Sequence, residues 1–428
     1  MTEPVLFTYN PPRYRHPLQA LPMKRLFPLF VVMFLGYLGF SLAIPLFPPL
    51  FFDHTSPFLP ATASRTARRI LLGILFSMYP LGQLIGAPIL GKLSDRHGRK
   101  SILLITLFGT VPGYIGSALA VKCTIPPLLF VSRMWVGLLE GNVTIPPAVI
   151  SDISTDAEEK TKYFGRIVSV VSSAFLIGPY LGGKLSDTKH FPFFGYDTPF
   201  LCAAILSFIG SFIVLFFFKE TCQGDRTLTI RPLRLFITLF ETLRLAHLKK
   251  LFAINICFSF GIFFFLNFFS TYLVNQFGFN AEQLGKINAY VSIFTILFPF
   301  LFKTMERVMQ QKTIALAGLI LMACSLILFI IPSSPYALFL TLIPIGLSVA
   351  ITFSYPALII SNACNKRIQG QVLGTNTAIQ MLGEGATALT GGLLMALSID
   401  LPFIIGASIA LLGAGLLHSL RKEASGRG

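Results

Sequence analysis

The chain has 428 residues, 54% hydrophobic and only 12% charged, about half the charged share of a soluble globular protein, so a soluble enzyme or binding module is excluded. Bilayer spans of about 20 residues each absorb such an apolar excess only if there are roughly a dozen of them. The 34 Lys and Arg against 18 Asp and Glu give a net charge of +16, which points to nucleic acid unless membrane topology explains it.

Residues 1–25 are polar and proline-rich and end in Lys24-Arg25, a cytoplasmic tail. The apolar run that follows has no small-residue cleavage site and reads as a retained first span rather than a signal peptide. Further apolar runs at 70–91, 101–121, 127–150, 164–183 and 199–218 bring the first group, from 26 to 218, to six spans. A charged stretch, 219–250, separates them from a second six near 251–274, 284–302, 312–332, 336–361, 370–396 and 401–419, and residues 420–428 form a second cytoplasmic tail. The expected fold is therefore an all-α integral membrane protein of twelve transmembrane helices. With both termini in the cytoplasm, most Lys and Arg fall in loops on that side. The positive-inside rule then accounts for the basic excess, and nucleic acid drops out as a partner. The six cysteines form no C-x-x-C pair and the six histidines no i,i+4 pair, so no metal site is expected.

Sliding the second half back by 209 positions aligns Gly137 with Gly346, Pro147 with Pro356, Gly165 with Gly374, Gly182 with Gly391 and Gly183 with Gly392. Glycines and prolines mark close helix contacts and kinks, so matches at one offset indicate two six-helix pseudo-repeats. A solute pathway between such halves is the usual arrangement of secondary carriers.

The loop after the second span reads Gly91-Lys92-Leu93-Ser94-Asp95-Arg96-His97-Gly98-Arg99-Lys100. It matches G-x-L-x-D-R-x-G-R-K at each defining position and so resembles the signature of the major facilitator superfamily. The resemblance implies a cytoplasmic gate in which Asp95 faces the positive end of the eleventh span, while Arg99 or Lys100 reaches Asp152 or Asp156. Span 5 carries Gly165, Gly178, Pro179, Gly182 and Gly183, with Ala174 in place of a further glycine. This is similar to the G-x8-G-x3-G-P-x2-G-G pattern of the superfamily's antiporters. The implied role is a tightly packed, kinked helix at the outward gate; helix packing without directional meaning is the alternative.

Two spans carry polar stripes. Arg133, Gly137, Glu140 and Thr144 in span 4 fall on one face of a continuous helix, with Glu140 about 10 Å from Arg133 by helical rise. The segment from Arg133 to Gly137 is similar to the R-x-x-Q-G signature of proton-coupled exporters, with Val136 in place of Gln. Trp135 beside it is a candidate for solute contact. Asn376, Gln380 and Glu384 in span 11 repeat the theme, and such groups should face protein or water rather than lipid. The first span lacks the acid found in many drug:proton antiporters, which directs proton coupling to Glu140 and Glu384. A fixed Arg133–Glu140 ion pair is the bland alternative. Both G-x4-G-K strings, Gly86 to Lys92 and Gly178 to Lys184, are followed by Leu where a nucleotide loop needs Ser or Thr.

The resemblance spans about residues 26 to 419 and is to the drug:proton antiporter type, near the tetracycline-resistance-like exporters. It implies export of a small hydrophobic or amphiphilic solute by alternating access. The proton gradient would be the energy source, with no cofactor and no enzymatic activity, in a monomer in the cytoplasmic or inner membrane. A carrier of a polar metabolite or siderophore, in either direction, is the second reading; a non-transporting membrane sensor is a remote one.

Overall fold

The computed structural model describes residues 26–53, 57–154, 157–187, 193–222, 224–228, 232–245, 248–364 and 369–425. Sixteen helices occur among the described residues, and no strand. In the first part of the chain they are α1 (Phe27–Leu42), α2 (Phe47–Phe52), α3 (Arg65–His97), α4 (Arg99–Lys122), α5 (Pro126–Leu138), α6 (Gly141–Ile153), α7 (Ala157–Leu185) and α8 (Thr198–Phe217). The second part holds α9 (Pro232–Leu243), α10 (Lys249–Phe277), α11 (Ala281–Leu297), α12 (Pro299–Val308), α13 (Gln311–Ile330), α14 (Pro335–Asn362), α15 (Gln369–Leu397) and α16 (Leu401–Ser425).

Ten helical stretches among the described residues are long and apolar enough to cross a membrane, with α1–α2 and α11–α12 each forming one stretch. The two expected spans outside this set are the fourth, which is split into α5 and α6, and the eleventh, α15. These are the two spans that carry the polar stripes.

Helices α1 to α8 pack on one another, as do α10 to α16; α4 lies on α8, α1 on α7, α10 on α16 and α13 on α14. In hydrocarbon the packing comes from close contact rather than from expelling water. In the second bundle it is largely aromatic: Phe265 stands edge-on to Phe329 at 5.2 Å, and Tyr272 edge-on to Phe403 at 5.4 Å.

The two bundles meet along α3 against α15 and along α7 against α11. Call the membrane face next to α1 and the end of α16 the terminal side, and the opposite face the far side. At the far side the bundles touch backbone to backbone. A Cβ on Gly73 would lie 2.7 Å from the Ala388 carbonyl and from Gly392 Cα, and one on Gly183 would lie 2.6 Å from the Ala281 carbonyl. Toward the terminal side, Gly165 on α7 and Gly370 and Gly374 on α15 have nothing within 4 Å of such a Cβ. The same helix pairs are thus closed at one end and parted at the other. The glycines paired by the 209-residue offset behave alike: Gly137 and Gly346 are crowded, Gly182 and Gly391 are crowded, and Gly165 and Gly374 face open space.

Candidate functional site

Where the bundles meet at mid-depth, α3 and α5 come close enough to exclude side chains. A Cβ on Gly82 would meet the Met134 carbonyl, one on Gly86 the Leu138 carbonyl, and one on Gly137 the Tyr79 carbonyl. The α5 helix ends there. Leu139 N–H is shared between the Trp135 and Val136 carbonyls at 3.3 and 3.2 Å, and Gly141 N–H donates to the Leu139 carbonyl at 2.8 Å. Glu140 between them has φ −75° and ψ 71°, the torsions of an inverse γ-turn. The continuous face expected from Arg133 to Thr144 is therefore interrupted at Glu140. Pro146 and Pro147 follow inside α6, where each withholds a backbone N–H from the helix ladder.

The turn leaves Glu140 buried, 6% exposed, with the Tyr79 hydroxyl donating to its Oε2 at 3.0 Å. Arg133, 3% exposed, lies above it among aromatic faces. Its guanidinium carbon is 5.0 Å from the Tyr79 ring centre, 5.3 Å from Phe47 and 5.6 Å from Phe40. Desolvated cation–π contacts of this kind are worth about 2 kcal/mol. Arg133 Nη1 is buried without a hydrogen-bond partner, which costs about 1–3 kcal/mol. No ion pair between Arg133 and Glu140 occurs among the described residues. Instead the guanidinium lies within electrostatic range of Glu140 and of Glu384 from the other bundle.

Glu384 is held there by α15. Its neighbours Gly383 and Gly385 let the helix approach both bundles: a Cβ on Gly383 would sit 2.9 Å from Ser259 on α10, and one on Gly385 would sit 3.3 Å from Leu81 on α3. Asn267 on α10 fixes the backbone, its Nδ2 donating to the Glu384 carbonyl and to Thr387 Oγ1, each at 3.1 Å. Asn376, at the buried end of the stripe, accepts from Asn255 Nδ2 at 2.8 Å and so serves helix packing within its own bundle. Gln380, one turn from Glu384, is half-buried.

Trp135 does not join this cluster. Two residues from Arg133 on a helix is about half a turn, so the indole points outward. It is 47% exposed and donates from Nε1 to the Gly109 carbonyl on α4 at 2.8 Å. Tyr79, Tyr114, Phe40 and Phe47 are the site residues that sequence reading missed. Tyr79-Pro80 inside an apolar span was the available signal, and the approach of Tyr114 to Glu140 and Arg133 had none.

At the terminal side the gate loop is built around Arg99. Its Nε donates to Asp152 Oδ2 at 2.9 Å, its Nη1 reaches Asp95 Oδ1 at 2.7 Å, and Nη1 also donates to Ser94 Oγ at 2.6 Å. Lys100 does not reach Asp152; its Nζ donates to the Leu215 carbonyl at 2.8 Å. Asp156 and the residues before Gln369, where Asp95 was expected to point, lie outside the described residues. The helix N-terminus that does receive an acid here is that of α4. Glu220 accepts from Arg99 N–H at 2.8 Å and Lys100 N–H at 3.1 Å, a favourable placement for an anion. Gly98 makes this possible: its φ is +97°, and a Cβ there would collide with the Glu220 carboxylate. The strand of chain after Glu220 covers the turn, with Gly224 against the Arg96 carbonyl and Asp225 N–H donating to the Asp95 carbonyl at 3.0 Å. Burial, reinforced by Asp152, raises the Cys222 thiol above its usual range. Gly91 allows α3 to rest on Thr144, 3.4 Å from a Cβ at that position.

The small residues of α7 divide their contacts. Gly178 and Gly182 pack against Ser41 and Leu42 of α1 within one bundle, and Gly183 packs against α11 of the other. Pro179 lacks the N–H that would bond the Phe175 carbonyl. That carbonyl instead accepts from Ser292 Oγ on α11 at 3.2 Å. Gly165 makes no such contact.

A family model described as Major Facilitator Superfamily matches residues 29–387 and 251–427. The chain is 26% identical over 397 residues to multidrug resistance protein 2 of Bacillus subtilis, covering 90% of this chain and 92% of that protein. It is 32% identical over 202 residues to the class H tetracycline resistance protein of Pasteurella multocida, a match that spans about half of each chain, 47% of this one and 46% of the other. The crystal structure of the human organic anion transporter MFSD10 superposes with a TM-score of 0.70 at 19% identity, over 93% of this chain and 100% of that one. The last likeness is one of fold.

Proposed function

Because the chain belongs to the major facilitator superfamily and is a multi-pass membrane transporter rather than an enzyme, we propose that it exports a small hydrophobic or amphiphilic solute by proton-coupled alternating access. The observation that carries this reading is the shared centre: buried Arg133 and Glu140 from one bundle and half-buried Glu384 from the other, set where the bundles are closed on the far side and parted on the terminal side. Residues 26–218 and 251–419 are the rocking halves. By the positive-inside rule the terminal side is cytoplasmic, so the protein faces inward, open to the compartment from which it loads. The protein acts as a monomer, with the proton gradient as its only energy source.

On that reading Arg133 and the two carboxyls form one electrostatic unit in a low-dielectric centre. A proton on either acid removes a charge that the guanidinium balances, so proton occupancy and solute occupancy are coupled through Arg133. The solute class is supported by a slot of about 370 Å³ between α1 and α7, lined by Phe27, Phe30, Val31, Phe34, Ser169 and Ser173. The two serine hydroxyls bond the carbonyls of their own helix, so the slot offers an apolar wall leading up α1 toward Tyr37. The near full-length similarity to a multidrug resistance protein adds support. An organic anion is the second reading, favoured by the unpartnered Nη1 of Arg133.

In proteoliposomes with an imposed pH gradient, Glu140→Gln and Glu384→Gln are expected to lose gradient-driven accumulation while retaining energy-independent exchange. Full gradient dependence in both variants would remove coupling from these acids. Competition by carboxylated solutes, but not by hydrophobic cations, would select the anion reading.

A further inference from the structure

The far-side contact between α3 and α15 includes one charged side chain whose role the centre does not explain. Three arginines stand in the first turns of α3. Arg68 spends its donors on its own bundle: Nε to the Ala63 carbonyl at 3.2 Å, Nη1 to Phe51 at 2.6 Å and Nη2 to Pro60 at 2.9 Å. Arg65 is exposed. Arg69 instead crosses between the bundles, its Nη1 donating to the Met395 carbonyl at 2.8 Å.

We propose that Arg69 is the far-side latch, a positioning residue whose guanidinium holds the last turn of α15 when that side is closed and releases it when that side opens. The inference rests on the alternating-access reading above. Met395 lies in the final turn of α15, which ends at Leu397, where carbonyls run out of amide donors and the helix presents its negative end. A guanidinium there gains a charge-assisted bond and a favourable dipole. The reach is enforced by the pairing of Gly73 with Gly392: a Cβ on Gly392 would lie 2.8 Å from Gly73 Cα and 3.0 Å from the Arg69 carbonyl. The bond is also easy to release. Arg69 Nε is buried with no partner, so admitting water on opening satisfies Nε at the same moment that Nη1 gives up its carbonyl. The balance is that of a contact made and broken in each cycle, not of a permanent clamp.

The test is a distance measurement across the far side. In a background with the native cysteines replaced, spin labels at Lys122 and Tyr336, exposed on the far side of opposite bundles, report the ratio of far-side-open to far-side-closed protein in nanodiscs. Arg69→Ala is expected to raise that ratio about tenfold, the equivalent of one charge-assisted bond, while Arg69→Lys, which can still donate to the carbonyl, stays within about threefold of the wild type. Arg68→Ala, which removes bonds within one bundle only, is expected to lower the melting temperature without moving the ratio. An unchanged ratio in Arg69→Ala, or an equal shift in Arg68→Ala and Arg69→Lys, overturns the latch. Failure of the carrier reading is seen separately, as absence of transport by the wild type in proteoliposomes while the Arg69→Ala distances still shift.

Discussion

The two ends of the inter-bundle contact are made by the same four helices and differ in what they bring together. At the far side, α3 with α15 and α7 with α11 meet through glycines whose missing side chains let backbones touch. At the terminal side those helices part, and order there is kept within one bundle, by Arg99 with Asp95 and Asp152 and by Glu220 at the start of α4. Closure between bundles is thus chiefly a matter of shape, with the Arg69 bond to the Met395 carbonyl added to it, and integrity of the terminal side within a bundle a matter of charge. A carrier needs the first to be reversible and the second to survive each cycle.

The largest effect should come from filling the closed end. Gly73→Val and Gly392→Val place side chains where backbone atoms now stand, at an overpacking cost of about 1–3 kcal/mol or more against the closed state. They are expected to abolish transport, whereas Gly165→Val and Gly374→Val in the parted half leave the far-side distances unchanged. Equal far-side effects at all four positions would erase the contrast. Next in size is Arg99→Ala, which takes the guanidinium away from the buried Asp152 carboxylate, at up to about 3–5 kcal/mol. The expected reading is a lower melting temperature in detergent with an unaltered far-side distance; a shifted distance would mean that the charge network also sets the state of the carrier. Smallest is Glu220→Gln, which weakens the anionic cap of α4 by about 0.5–2 kcal/mol, to be read as faster amide exchange confined to the first turn of α4 and the chain that covers it.

Much of this was legible in the sequence, because it depends on short-range pattern. Apolar run lengths marked ten of the twelve expected spans among the described residues, and of the pairings that the family resemblance implied, Arg99 or Lys100 with Asp152 or Asp156, the fold shows Arg99 with Asp152. The charge pattern singled out Arg133, Glu140 and Glu384, and Arg133 lies within electrostatic range of both carboxyls. What escaped depends on contact. The break at Glu140 exists because Gly137 lets α5 sink onto the Tyr79 backbone, a partner that helical periodicity cannot name. The Glu220 cap joins residues some 120 positions apart through the unusual torsion of Gly98. Trp135 is a different case: its placement half a turn from Arg133 follows from helical geometry alone, and proximity in sequence was the weaker guide.

Gly165 and Gly374 carry a further consequence. Helices can approach to backbone distance only where neither contributes a bulky side chain, and at these two positions in the parted half α7 and α15 already contribute none although nothing lies within 4 Å of a Cβ placed there. Bringing that end together would ask for no side-chain rearrangement at these two positions. Under the proposed alternating access, those two surfaces would be ready before they are used.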